Sequence, residues 1–136
     1  MIIKGRSIAK GEASGELIIT DAPISFLSGV DPDTGIIIEK GHPLEGVSIA
    51  GKVLAFPFGK GSTVGSYVIY SLKKNGCAPA AMINSEAEAI IAVGAIISGI
   101  PMIDQLEGGL SSLKNGMAVT VDGDRGELIC HDQANA

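Results

Sequence analysis

The run Val53-Leu54-Ala55-Phe56 constrains this chain more than any other four residues. An unbroken apolar strand is buried on both faces, the mark of a parallel sheet rather than of a hairpin with one wet side. The next thirty residues agree with that. Pro57-Phe58-Gly59-Lys60-Gly61-Ser62 is a glycine-rich loop, after which Val64, Tyr67, Val68 and Leu72 recur at the spacing of one helix face. Asn75-Gly76 ends that helix, and Ala80–Ile83 reads as the next short strand. A strand–loop–helix–strand unit of this kind commits the chain to an α/β architecture.

The remaining segments read as shorter strands between turns. Glu16–Thr20 is a strand broken by Asp21-Ala22-Pro23, and the turn Asp31–Gly35 leads to a strand over Ile36–Glu39 and a loop over Gly41–Gly46. Asn84 or Ser85 is placed to cap a second helix, with Glu86 and Glu88 in its first turn and Ala87, Ile90, Ile91 and Gly94 facing inward. Gly99-Ile100-Pro101 closes that helix, and Met102-Ile103 forms another short strand. Leu106–Leu113 makes a helical turn at most. Met117–Val121 and Glu127–Ile129 then pair as a hairpin around Asp122–Gly126. The expectation is a central sheet with two main helices and peripheral β-turn structure. It forms one domain over residues 1–130, with a frayed polar tail over 131–136.

Composition narrows the function. The 136 residues carry a net charge of −5 and no cluster of Lys or Arg, which argues against nucleic-acid binding. Met1–Arg6 has no long apolar run behind its charges, and the apolar stretch Ala89–Ile100 is too short to span a bilayer, so a cytoplasmic location is expected. Cys77 and Cys130 lack the spacing of a zinc or redox motif and read as reduced structural thiols. Two thiols also fall short of the three or four that an iron–sulfur cubane requires. His42 and His131 stand alone in the sequence and read as a loop histidine and a tail histidine.

The chemistry concentrates in Phe56–Thr63. Two glycines, a lysine and a hydroxyl lie within a few residues, between the end of a buried strand and the start of a helix. Glycine allows close approach of a ligand, helix-start N–H groups attract anions, and Lys60 adds a mobile positive charge. The carboxyl end of a strand is where α/β proteins tend to build sites. The segment is not a nucleotide-binding P-loop: Leu54 stands where that motif needs glycine, and Gly61 follows Lys60 where it needs Ser or Thr. Two readings fit the local sequence, an anion-binding loop or a simple turn with Ser62 as a helix cap. A serine acts as a base only if its alkoxide is stabilised, which helix-end amides and Lys60 could help to do. The candidates are Ser62 first, then Lys60, Gly61 and Gly59, with Thr63, Ser66 and Arg125 behind them. Arg125 is explained as well by its hairpin turn.

The run Leu54–Tyr67, with Gly5-Arg6, Ile100-Pro101 and Val121–Glu127, resembles the small subunits of aconitase X-type dehydratases over nearly the whole chain, to about Ile129. That resemblance implies a swivelling β/β/α domain that packs over a large subunit carrying a 4Fe–4S iron–sulfur cluster. It implies that Ser62 is the proton acceptor, and that Lys60, Gly59, Gly61 and Thr63 bind substrate. In archaea, stand-alone small chains of this kind are similar to that of the hydro-lyase dehydrating (R)-5-phosphomevalonate to trans-anhydromevalonate 5-phosphate, in a modified mevalonate route to isoprenoids. Three other readings are a related dehydratase acting on hydroxyproline or another hydroxy acid, a phosphohistidine carrier, and a non-catalytic swivel subunit. The carrier lacks its histidine, since the corresponding loop holds Ser62, Thr63, Val64 and Gly65.

Overall fold

The computed structural model describes residues 1–61 and 63–131. In chain order these form β1 (Ile2–Lys4), β2 (Arg6–Ala9), β3 (Glu12–Ile19), α1 (Phe26–Gly29), β4 (Val53–Phe56), α2 (Gly65–Lys74), β5 (Ala81–Asn84), α3 (Ala89–Ser98), β6 (Met102–Asp104), a single 3₁₀ turn (Leu110–Ser112), β7 (Ala118–Asp122) and β8 (Glu127–Cys130).

Two sheets share the long strand β3. Its second half runs parallel to β4, with Leu17 beside Val53, and β5 and β6 continue the parallel order. Its first half pairs antiparallel with β7, which leads to β8 and β1. At the far edge β2 pairs antiparallel with β6. In strand order β1 and β2 stand at opposite ends, yet only Gly5 separates them in the chain. The opening strand therefore closes the two sheets onto each other. Gly5 makes the crossing possible: a Cβ there would lie 2.5 Å from the Asp104 carbonyl oxygen, while its N–H donates to the Gly126 carbonyl at 2.7 Å.

Strand alternation then sorts the apolar residues into two cores. Leu17, Val53, Ala55, Ile83, Ile103, Val121 and Leu128 fill the space between the sheets. Leu54, Phe56, Met82 and Met102 face the other way, onto Ile69 and Leu72 of α2 and Ile91 and Ala95 of α3. All four residues of β4 are buried because each of its faces lines a core, and each large one removes about 2 kcal/mol worth of apolar surface from water. The layers are sheet, sheet and helices, the β/β/α arrangement that the resemblance implies.

Several local expectations shift. The helix after the loop starts at Gly65, behind Val64, and buries Gly65, Ile69 and Leu72. Val64 and Tyr67, expected inward, are 42% and 68% exposed. The face is set by contact with α3, where Gly94 leaves no room for a side chain: a Cβ there would lie 2.7 Å from Ile69 Cδ1. The second helix is capped by neither Asn84 nor Ser85. Asn84 ends β5, and Glu88 caps α3, its carboxylate accepting the N–H groups of Ile90 and Ile91 at 3.1 and 2.9 Å. Ile91 and Gly94 face inward as expected, but Ile90 is half-buried and Ala87 precedes the helix. Ile36–Glu39 is not a strand and makes only isolated bridges to Ser48 and Val30. The hairpin runs one residue beyond Cys130: the His131 N–H donates to the Ala118 carbonyl at 3.0 Å, and its Nε2 lies 2.7 Å from Thr120 Oγ1. The rest of the expected tail, 132–136, lies outside the described residues.

Candidate active site

The carboxyl ends of β3, β4, β5 and β6 lie along one edge, and backbone pairing continues past them. The Asn84 Nδ2 donates to the Phe56 carbonyl at 3.0 Å, the Ser85 N–H to the Pro57 carbonyl at 3.0 Å and the Gln105 N–H to the Ser85 carbonyl at 3.1 Å. Gln105 has φ of 52°, the single non-glycine residue in the left-handed region among the described residues. Backbone strain of this kind tends to collect at functional sites. An open cleft of about 600 Å³ lies at this edge, lined by Thr20, Asp21, Pro57, Ser85 and Leu113 among others.

The glycine-rich loop leaves β4 at the same edge. Gly59 forms a parallel bridge with Ile24: the Ile24 N–H donates to the Phe58 carbonyl at 3.3 Å, and the Lys60 N–H to the Ile24 carbonyl at 3.0 Å. A side chain at Gly59 would overlap Ile91 of α3. Gly61 has φ of +95°, and a Cβ there would lie 2.8 Å from the Ser25 hydroxyl. Both glycines are thus required by close approach, one to α3 and one to the start of α1. A small cavity of about 90 Å³ remains between Gly59, Lys60, Gly61, Glu88 and Ile91. Beyond the loop, exposed Thr63 and half-buried Ser66 flank the start of α2, whose first N–H groups carry the partial positive charge of the helix dipole. Ser62, ranked first from the sequence, lies outside the described residues.

Two of the cations, Lys60 and Arg6, meet acids. Lys60 Nζ lies 3.0 Å from Glu39 Oε2, an acidic partner for the loop ammonium that the sequence does not show. Arg6 grips Asp104 with two hydrogen bonds, Nε to Oδ1 at 2.9 Å and Nη2 to Oδ2 at 2.8 Å. Asp104 is fully buried and also accepts the Ala87 N–H at 2.7 Å. Those hydrogen bonds, and then the charge of Asp104, push the Arg6 guanidinium above its ordinary pKa.

Arg125 belongs elsewhere. Asp122, which starts its turn, pairs with Glu12 at the beginning of β3, whereas Ile19 at the end of β3 pairs with Ala55 near the loop. At about 3.3 Å per residue the eight residues of β3 put the two turns roughly 20 Å apart. The Arg125 side chain is 77% exposed, and its nearest acid is Asp122 at 4.0 Å. His42 is a structural loop residue: Leu44 N–H donates to Nδ1 at 3.0 Å, so Nε2 carries the proton and donates to the Pro23 carbonyl at 3.1 Å.

Glu39, Asn84 and Asp104 escaped the sequence reading. The last two share a legible signal, a single polar residue closing an apolar strand at its carboxyl end. Asn84 is fully buried, and among the described residues its Oδ1 has no partner. Glu39 closes the apolar run Ile36–Ile38 in the same way, but no local feature shows that it reaches Lys60.

This chain's own donors do not fit an iron–sulfur cluster. Cys77 lies in the helix-side core and Cys130 in the core between the sheets, both free and buried, and burial pushes both thiols up. Among the described residues no group of three or more His, Cys, Asp or Glu could hold a metal ion, and no helix is long and apolar enough to cross a membrane.

Comparison with known proteins extends this picture over almost the whole length. The family model of the aconitase X swivel domain matches residues 2–130. The chain is 59% identical over 128 residues to the phosphomevalonate dehydratase small subunit of Pyrococcus furiosus, covering 94% of each chain. It is 61% identical over 127 residues to that of Methanocella arvoryzae, covering 93% of this chain and 96% of the relative. Among solved structures it is similar to a chain of Thermococcus kodakaraensis aconitase X in its holo-form, with a TM-score of 0.93 at 56% identity, over 97% of this chain and 99% of that one.

Proposed function

This chain belongs to the aconitase X swivel-domain family, and we propose that it is the small subunit of a two-subunit hydro-lyase that dehydrates (R)-5-phosphomevalonate to trans-anhydromevalonate 5-phosphate. The observation that carries this reading is the conjunction of the Gly59-Lys60-Gly61 loop at the carboxyl edge of the parallel strands with the name shared by relatives about 60% identical over nearly the full length.

In this reading Ser62 takes the proton from the carbon next to the substrate carboxylate. In the same reading its alkoxide draws on the loop, on the first N–H groups of α2 and on Lys60, two residues before it in the sequence, for stabilisation. Gly59, Gly61 and Thr63 are assigned to the wall against which the substrate lies, the two glycines by letting the loop seat closely against Ile91 and Ser25. A 4Fe–4S cluster, which the two buried thiols of this chain do not suffice to hold, is assigned to the large subunit, where it would supply Lewis-acid chemistry. The complex is assigned to the cytoplasm, without nucleic-acid or membrane partners, in keeping with a net charge of −5.

The test is co-expression with the candidate large subunit, kept anaerobic, and an assay of the cluster-loaded complex on (R)-5-phosphomevalonate, with hydroxyproline and other hydroxy acids in parallel. Formation of the anhydro product supports the reading. Turnover of another hydroxy acid alone would replace the substrate, and an intact complex inactive on all of them would favour a non-catalytic swivel subunit.

A further inference from the structure

We infer that Glu39 is a positioning residue, acting through Lys60 to hold the ammonium of the glycine-rich loop in place for an anionic substrate. The inference rests on the dehydratase reading for its substrate, but not for its geometry.

Both partners are anchored to the same short segment, residues 24–30. Lys60 is tied through its backbone N–H to the Ile24 carbonyl, and Gly61 sits against the Ser25 hydroxyl. Before Glu39, the Ile38 N–H donates to the Gly29 carbonyl at 2.9 Å, and after it the Glu39 carbonyl accepts the His42 N–H at 3.2 Å. Its carboxylate reaches Lys60 by passing over Gly29, where a Cβ would lie 3.1 Å from Oε1. Gly29 leaves the lane open, Glu39 crosses it, and Lys60 meets it from the other side.

Energetics point away from a purely structural role. The side chains of Lys60 and Glu39 are 43% and 29% exposed. A pair this wet adds little to folding stability. What it does is fix direction: a lysine stem has many rotamers, and one charge-assisted hydrogen bond selects among them. An ammonium has three N–H donors. With one aimed at Glu39, two have no partner among the described residues and remain for a carboxylate or phosphate oxygen. A carboxylate beside the ammonium also lowers the net charge of the loop, so the anion is recognised by aimed donors more than by bulk attraction.

The experiment uses the assembled two-subunit complex and three variants, Glu39→Gln, Gly29→Ala and Lys60→Met, with the Glu39→Gln/Lys60→Met double variant. Two readouts are taken: kcat/KM on (R)-5-phosphomevalonate, and hydrogen–deuterium exchange of the peptide spanning 57–61 without substrate. Glu39→Gln is expected to lower kcat/KM roughly tenfold to a hundredfold, as misplacement of a substrate-facing group does. It should also speed exchange in the loop while the complex still assembles. Gly29→Ala should act in the same direction but more weakly, although it keeps the carboxylate, because the Glu39 carboxylate must shift by a few tenths of an ångström to clear the new methyl. In the Lys60→Met background, Glu39→Gln should add no further loss. A wild-type kcat/KM in Glu39→Gln, or losses that multiply in the double variant, would overturn the inference. If the wild-type complex does not turn over this substrate, the dehydratase reading fails by itself and exchange alone decides: faster exchange in Glu39→Gln upholds the positioning role, and unchanged exchange removes it.

Discussion

Two glycine-rich turns, each with one cation, sit at opposite ends of β3, and they do different work. In the hairpin turn after β7 the glycines meet backbone. A side chain at Gly123 would overlap the Ala9 carbonyl, and one at Gly126 would lie 2.7 Å from the Ser7 nitrogen. Its polar groups are satisfied nearby: Asp122 Oδ1 accepts the N–H groups of Asp124 and Arg125, Gly123 donates to the Gly11 carbonyl and Ser7 Oγ donates to that of Gly123. This turn is the seam where the opening strand closes the two sheets, and Arg125 simply points to water. In the loop after β4 the glycines meet side chains, Ile91 and Ser25, and the cation is met by an acid distant in the chain. Backbone packed on backbone makes a joint. Backbone packed on side chains beside an open edge leaves a surface that a ligand can reach.

That contrast can be broken by substitution. The largest effect is expected at the seam: Gly123→Ala has no room to relax against main chain and should lower stability by about 3 kcal/mol, read from a denaturant melt. A melt like that of the wild type would remove the claim that this turn is a joint. At the loop the same change should divide its effect differently. Gly59→Ala presses on Cγ1 and Cδ1 of the buried Ile91, a side chain rather than main chain, so stability should fall by about 2 kcal/mol while turnover of the assembled complex falls about a hundredfold. An active Gly59→Ala complex would show that the loop does not need its close contact with α3. The smallest effect is expected at Arg125→Ala, with turnover unchanged and the melting temperature moved by no more than about 2 °C. Lost activity there would return Arg125 to the candidate site.

Much of the fold and of the loop is legible in the sequence. The β4 run stands out because both of its faces are buried, and the loop because glycine, lysine and a hydroxyl crowd the end of a strand. The face of α2 is misread because apolar residues lie on both sides of it: Tyr67 and Val64 fit a stripe as well as Ile69 does, and only the contact with Gly94 decides between them. β1 and β2 are invisible because their pairing partners lie a hundred residues away, Ile2 beside Ile129 and Arg6 beside Asp104. The meeting of Glu39 with Lys60 cannot be read from the sequence, since it depends on a fold that brings residue 39 to residue 60 across an absent side chain at Gly29.

The central claim is that the loop after β4 delivers the base of a dehydration reaction. Its most direct test is Ser62→Ala in the anaerobic, cluster-loaded complex, assayed on (R)-5-phosphomevalonate beside the wild type. The expected result is a variant that assembles and keeps its cluster but turns over at least about a hundredfold more slowly, as when a positioned base is removed. An assembled Ser62→Ala complex with wild-type turnover would contradict the claim and leave the swivel domain with a structural role alone.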